Sequence, residues 1–161
     1  ERTEAVRALS RHVSVWLPDM KYMSPDTAAR YSAAPDYPAV ASAAIEEMVR
    51  LAGPYELDEE GMLRRGVLIR HLVLPGETEN TKRVIDWVAE TFRPGDVLFS
   101  LMSQYTPQPG AEGNLARHVT KAEYRAAVQY MENCGIVDGF LQERTAAKEE
   151  YTPPFDLTGV K

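Results

Sequence analysis

Three short strings hold the residues best suited to chemistry. In Leu17-Pro18-Asp19-Met20-Lys21-Tyr22 an aspartate and a lysine stand two apart after a β-branched run. Alternate residues of extended backbone share a side, so Asp19 and Lys21 could address one anionic or hydroxylated ligand. The plainer alternative is a solvated loop carrying a surface ion pair. Arg70 lies inside the apolar run 67–74, where a cation is expensive to bury unless something anionic meets it. Otherwise its head group reaches the strand end or a neighbouring glutamate. Gln104 and Tyr105, in Ser100-Leu101-Met102-Ser103-Gln104-Tyr105-Thr106-Pro107, offer neutral hydrogen-bonding groups to a ribose or a peptide, and such residues serve equally as loop anchors.

The remaining reactive side chains point to less. His12 precedes a strand and His118 sits in a polar loop, and both read as surface residues. His71 follows Arg70, so in a strand the two face opposite ways, one toward a lumen and the other beneath helices. Cys134, at a helix end before a glycine, reads as a small buried hydrophobe. It is the single cysteine. One thiol makes no internal disulfide and holds neither an iron–sulfur cluster nor a structural zinc, and cytoplasmic localisation is the expectation.

The elements that must position these residues follow from the pattern of apolar side chains. Residues 1–11 read as an amphipathic helix and 13–17 as a strand ended by Pro18. Ser24-Pro25-Asp26 supplies a cap and a proline at the first helical position for a short helix to about Tyr31. A helix after Pro38 repeats apolar residues at Val40, Ala44, Ile45, Met48 and Val49 until Gly53-Pro54. The polar segment 54–65 reads as a loop. Val67 to Leu74 reads as a strand buried on both faces of a parallel sheet. A helix over 79–92, a strand over 97–102 and a Pro- and Gly-rich loop over 106–114 come next. Thr120 and Glu123 form a capping-box pattern opening a helix through Asn133, followed by a last strand over 136–141. The domain spans 1–150, with an irregular tail at 151–161 that contains Pro153-Pro154.

This alternation predicts an α/β fold of about four mostly parallel strands joined by right-handed helical crossovers. A complete eight-stranded barrel takes about 250 residues, so 161 residues predict a partial barrel or a small open sheet, either with exposed edges. Self-association through the free edge is an expected consequence. The composition, 44% hydrophobic and 26% charged, is that of one ordinary folded domain. A net charge of −6 argues against broad binding of nucleic acid or anionic lipid. No apolar run approaches the roughly 20 residues that span a bilayer, and the opening Glu1-Arg2-Thr3-Glu4 lacks signal-peptide character. The chain opens in what reads as the middle of a helix, as an excerpt of a longer protein would.

Taken in order, the three strings resemble the C-terminal half of radical S-adenosylmethionine proteins, in particular homologues of pyruvate formate-lyase activating enzyme. The resemblance covers nearly the whole chain. It implies a partial (β/α)6 barrel of the TIM-like radical S-adenosylmethionine type, of which this chain supplies the last strands and a missing N-terminal half the first. In that family a CxxxCxxC loop binds a 4Fe-4S cluster, and the reduced cluster cleaves S-adenosylmethionine to a 5′-deoxyadenosyl radical that abstracts hydrogen from a protein or peptide. Asp19 and Lys21 match the family's cofactor-holding Asp-x-Lys, and Arg70 matches an arginine facing the cofactor. Tyr105 stands where the activating enzymes have a histidine, which leaves the ribose contact to Gln104 or Tyr105. The cysteine motif and the Gly-Gly-Glu segment have no counterpart here, so the parent protein is expected to be the enzyme and this chain alone inactive. The reading from another class is a self-contained small α/β binding or scaffold module, in which Asp19, Lys21 and Arg70 serve packing and solubility.

Overall fold

The structure is a computed structural model and describes residues 2–141; for Phe140 and Leu141 it describes the backbone alone. The tail expected at 151–161 lies outside the described residues. Among the described residues five helices and five strands follow in the order α1 (Thr3–Leu9), β1 (Val15–Trp16), α2 (Pro25–Ser32), α3 (Tyr37–Ala52), β2 (Glu56–Leu57), β3 (Leu63–Leu72), α4 (Thr78–Thr91), β4 (Leu98–Met102), α5 (Lys121–Asn133) and β5 (Gly139–Leu141). A single 3-10 turn, Gly113–Ala116, lies in the loop before α5.

Local chemistry sets several of these boundaries. The Ser24 hydroxyl accepts a hydrogen bond from the Thr27 N–H, and Pro25 occupies the first turn of α2. Thr120 and Glu123 form the reciprocal capping box of α5, each side chain accepting from the other's N–H. Helix α3 stops at Gly53, whose φ of 75° a side chain would disfavour.

The sheet is mixed. Its parallel path runs β1-β3-β4-β5, and β2 adds an antiparallel pair to the start of β3. That pair corrects the expectation of a loop over 54–65. The turn between the strands is built by Asp58, whose Oδ1 accepts from the N–H groups of Glu60 and Met62 while Oδ2 meets Arg64 Nε at 2.6 Å. Both β2 residues are exposed, so the segment lacks the apolar alternation that marks a strand.

Strand β3 is also not sealed on both faces as expected. Val67, Ile69, His71 and Val73 are buried on one side, whereas Leu68, Arg70 and Leu72 on the other are only half-buried. The buried side faces helices, as two contacts mark: His71 meets Thr81 of α4, and Tyr124 of α5 donates to the Leu101 carbonyl of β4. Phe99, Ile69, Val67, Ile85, Val84, Ile45 and Met20 are completely or almost completely enclosed there. Each such side chain contributes roughly 1.5–3 kcal/mol of burial. The first strand is shorter than expected, because Pro18 has no N–H for a ladder. Pairing resumes one residue later in a parallel bridge between Asp19 and Arg70. Among the described residues, no helix is long and apolar enough to cross a membrane.

Candidate functional site

Chain direction brings the three strings to one end of the sheet. Strands β1, β3 and β4 are parallel, so the segments leaving them after Trp16, Leu72 and Met102 emerge together. The backbones of Asp19 and Arg70 are joined by two hydrogen bonds of 2.9 Å, from Arg70 N–H to the Pro18 carbonyl and from Met20 N–H to the Arg70 carbonyl. Their side chains therefore stand side by side, on the side of β3 opposite His71.

Arg70 Nη2 lies 2.8 Å from Asp19 Oδ1, with both side chains more than a third exposed. The contact is an ion pair without the alignment of a hydrogen bond: Asp19 Oδ1 and Arg70 Nε are each buried with no hydrogen-bond partner. The charges compensate one another while two polar atoms stay unsatisfied, an arrangement open to improvement by a third polar group. Lys21 is exposed next to them. Asp19, Lys21 and Arg70 line one cleft of about 530 Å³, which continues past Leu17 and Tyr37 along the apolar face of α3 at Ala41, Ile45 and Met48.

Gln104 and Tyr105 do not line that cleft. The Tyr105 hydroxyl donates to the Leu115 carbonyl at 2.9 Å, and its own carbonyl meets His118 Nδ1 at 2.9 Å. Tyr105 thus anchors its loop, and burial raises its phenol above the ordinary value. Gln104 keeps Oε1 buried without a hydrogen-bond partner, and its Nε2 makes only a long contact with Met102 Sδ. His12 and His118 are exposed.

Of the adjacent pair, His71 is the one beneath the helices. It is buried, with Nδ1 2.7 Å from the Met20 carbonyl and Nε2 3.0 Å from the Thr81 hydroxyl. A carbonyl only accepts, so Nδ1 carries the proton and Nε2 accepts from Thr81. Burial lowers the His71 pKa to about 4, against the pull of the Met20 hydrogen bond. The imidazole is therefore neutral at ordinary pH.

Cys134 lies elsewhere, with Val88, Phe92 and Ile136 around a hollow of about 80 Å³ near the start of β4. Burial, then the charge of Asp86, raises its thiol above the ordinary value, the opposite of a reactive thiolate. As the single cysteine it cannot supply the three thiolates of a 4Fe-4S cluster. Among the described residues, no group of three His, Cys, Asp or Glu could hold a metal. The cluster does not fit this chain. Lys21 and Arg70 offer donors and Asp19 acceptors in one cleft, the chemistry of a site for a small anionic or hydroxylated ligand.

Three polar residues around the site were not singled out as functional by their sequence context: Tyr37, Asn80 and, in its detailed role, His71. Each reaches the backbone after β1 from a distant position, and no local motif signals such a contact. In comparisons with known proteins, the chain matches no family model, no curated protein and no solved structure.

Proposed function

We propose that this chain is the C-terminal half of a partial barrel of the radical S-adenosylmethionine type, similar to homologues of pyruvate formate-lyase activating enzyme. Its cleft holds part of S-adenosylmethionine, and the cluster cysteines belong to another part of the same protein. The observation that carries the reading is the convergence of Asp19, Lys21 and Arg70 on one cleft at the C-terminal ends of the strands, where parallel α/β folds collect their ligands. A second support is the order β1-β3-β4-β5, in which parallel neighbours follow the chain with a helix in each crossover. A sheet wound in that order is compatible with part of a barrel, and on this reading further strands would join at the edge of β1. The parent then acts on a protein or peptide, with S-adenosylmethionine and the cluster as its cofactors.

The test uses a longer protein read from the upstream frame, purified anaerobically with iron and sulfide. A cluster whose electron paramagnetic resonance changes on adding S-adenosylmethionine, with weaker binding in Asp19→Asn and Arg70→Leu, is the expected result. A longer protein without a cysteine triplet, or a cluster indifferent to S-adenosylmethionine, overturns the reading.

The ion pair favours a second reading. Asp19 and Arg70 already compensate each other, as they would in a self-contained α/β binding or scaffold module without catalysis. A start codon adjacent to Glu1 and unchanged S-adenosylmethionine binding in both variants would select it.

A further inference from the structure

The five residues after Pro18 lie outside any named strand or helix, yet several of their backbone groups are hydrogen-bonded to side chains from elsewhere in the fold. The Asp19 carbonyl accepts from the Tyr37 hydroxyl at 2.7 Å, and the same hydroxyl accepts from Lys21 N–H at 3.1 Å. The Met20 carbonyl accepts from His71 Nδ1. Asn80 donates from Nδ2 to the Lys21 carbonyl at 2.9 Å and accepts at Oδ1 from Met23 N–H at 3.0 Å. The three side chains come from α3, β3 and α4, so the loop is held from three directions.

This arrangement is costlier than the loop's own stability requires. A loop at a sheet end can satisfy its carbonyls with water, whereas His71 and Asn80 are buried, at 1% and 3% exposure, and buried polar groups must be fully paired to be tolerated. They are paired, and their partners are the backbone groups flanking Asp19 and Lys21. Met20, between those two, is completely buried and draws the loop inward on the opposite side from their side chains. The ordering of the loop is thereby accomplished on folding rather than on ligand binding, which is how a site gains affinity without an added contact.

We infer that Tyr37, His71 and Asn80 are positioning residues that fix the backbone at 19–23 and so preorganise Asp19 and Lys21 for the ligand. The inference rests on the reading that these two side chains bind S-adenosylmethionine. His71 and Asn80 do not line the cleft, and Tyr37, which does, commits its hydroxyl to the Asp19 and Lys21 backbone; each acts through the loop.

The test is made in the full-length protein, with S-adenosylmethionine as the probe, by calorimetric affinity and by amide hydrogen exchange. Tyr37→Phe removes the one hydroxyl that serves two backbone groups. It should accelerate exchange at Lys21, leave Ile69 and Phe99 protected, and weaken S-adenosylmethionine binding about five- to tenfold, the effect of roughly one hydrogen bond. His71→Asn places an amide nitrogen near Nδ1, toward Met20, and His71→Gln places it near Nε2, toward Thr81. The asparagine variant should retain more affinity than the glutamine variant at similar overall stability, a difference that a merely structural role would not produce. If Asp19→Asn and Lys21→Met weaken binding while Tyr37→Phe and His71→Gln do not, the positioning role is wrong and the ligand reading stands. If Asp19→Asn and Lys21→Met leave binding unchanged, the ligand reading is wrong and the inference falls with it.

Discussion

Asp19 and Arg70 are partners twice over, as a parallel β-bridge between their backbones and as an ion pair of 2.8 Å between their side chains. The backbone pairing fixes the separation of the side chains, so the charges meet without either chain reaching for the other.

Breaking this pair should matter little to stability. Both side chains are more than a third exposed and their contact is poorly aligned, so Asp19→Asn should shift the unfolding free energy by less than about 1 kcal/mol. Urea denaturation measures it. A loss of several kcal/mol would mean that the pair is a structural element of the sheet.

Gly66→Ala should be far more damaging. Gly66 has φ 117° where β3 meets Val15, and an added Cβ would lie 2.6 Å from Tyr55 Cα. Strain and overpacking together should cost about 2–4 kcal/mol, read as a lower urea midpoint with an unchanged slope.

Acid should weaken the protein through two carboxylates. Hydrogen bonds from Arg50, then Arg7, lower the Glu47 pKa from the ordinary 4.5 to about 2. Arg117 above all, helped by Thr120 and Gly76, holds Glu123 well below the ordinary range. A carboxylate depressed in the folded state stabilises above its unfolded pKa, and the gain is lost as pH falls through the folded value. Stability should therefore decline from about pH 4.5 downward, for Glu47 until about pH 2. Glu47→Gln should lower the midpoint at pH 7 and flatten that decline. His71 adds an earlier slope of the same sign: with its pKa at about 4 against the ordinary 6.5, the unfolded chain takes up the proton first, and stability falls between those values.

The edge at β1 should be adhesive. Leu17 is 50% exposed beside the apolar cleft, and unpaired strand edges recruit other chains. Leu17→Lys should reduce any self-association seen by light scattering at high concentration while leaving the urea midpoint within about 0.5 kcal/mol of the parent.

Anaerobic incubation with iron and sulfide should leave this chain colourless, because Cys134 is its single thiol and is partly buried. A brown product with stoichiometric iron would contradict the ligand argument.

Features written in adjacent residues were legible in the sequence. The Ser24-Pro25 start, the Thr120/Glu123 capping box and the apolar run of β3 all arise within a few positions, and each is present. The β2–β3 hairpin was not legible, because β2 is only two residues long and both are exposed, while the Asp58 turn that joins the strands works through side-chain contacts. At the site, Asp19 and Lys21 were accessible through their two-residue spacing after a strand, and Arg70 because a cation inside an apolar run is costly to bury. Tyr37 and Asn80 were hidden because their hydrogen bonds join residues far apart in the chain. Tyr105, expected among the ligand contacts, spends its hydroxyl on Leu115, a partner ten positions away that no local pattern announces.

Strand β1 pairs with β3, about fifty residues downstream, and among the described residues with no element nearer to it in the chain. During synthesis α1, β1, α2 and α3 therefore emerge before the strand that completes their sheet, and Trp16 and Met20 have no β3 to lie against until it arrives. Closing so long a loop is slow relative to local helix formation. The arrival of β3 is thus the committing event: it supplies pairing to β1 and β2 and an edge for β4 to join afterwards, and with it the His71 imidazole that fastens the loop carrying Asp19 and Lys21.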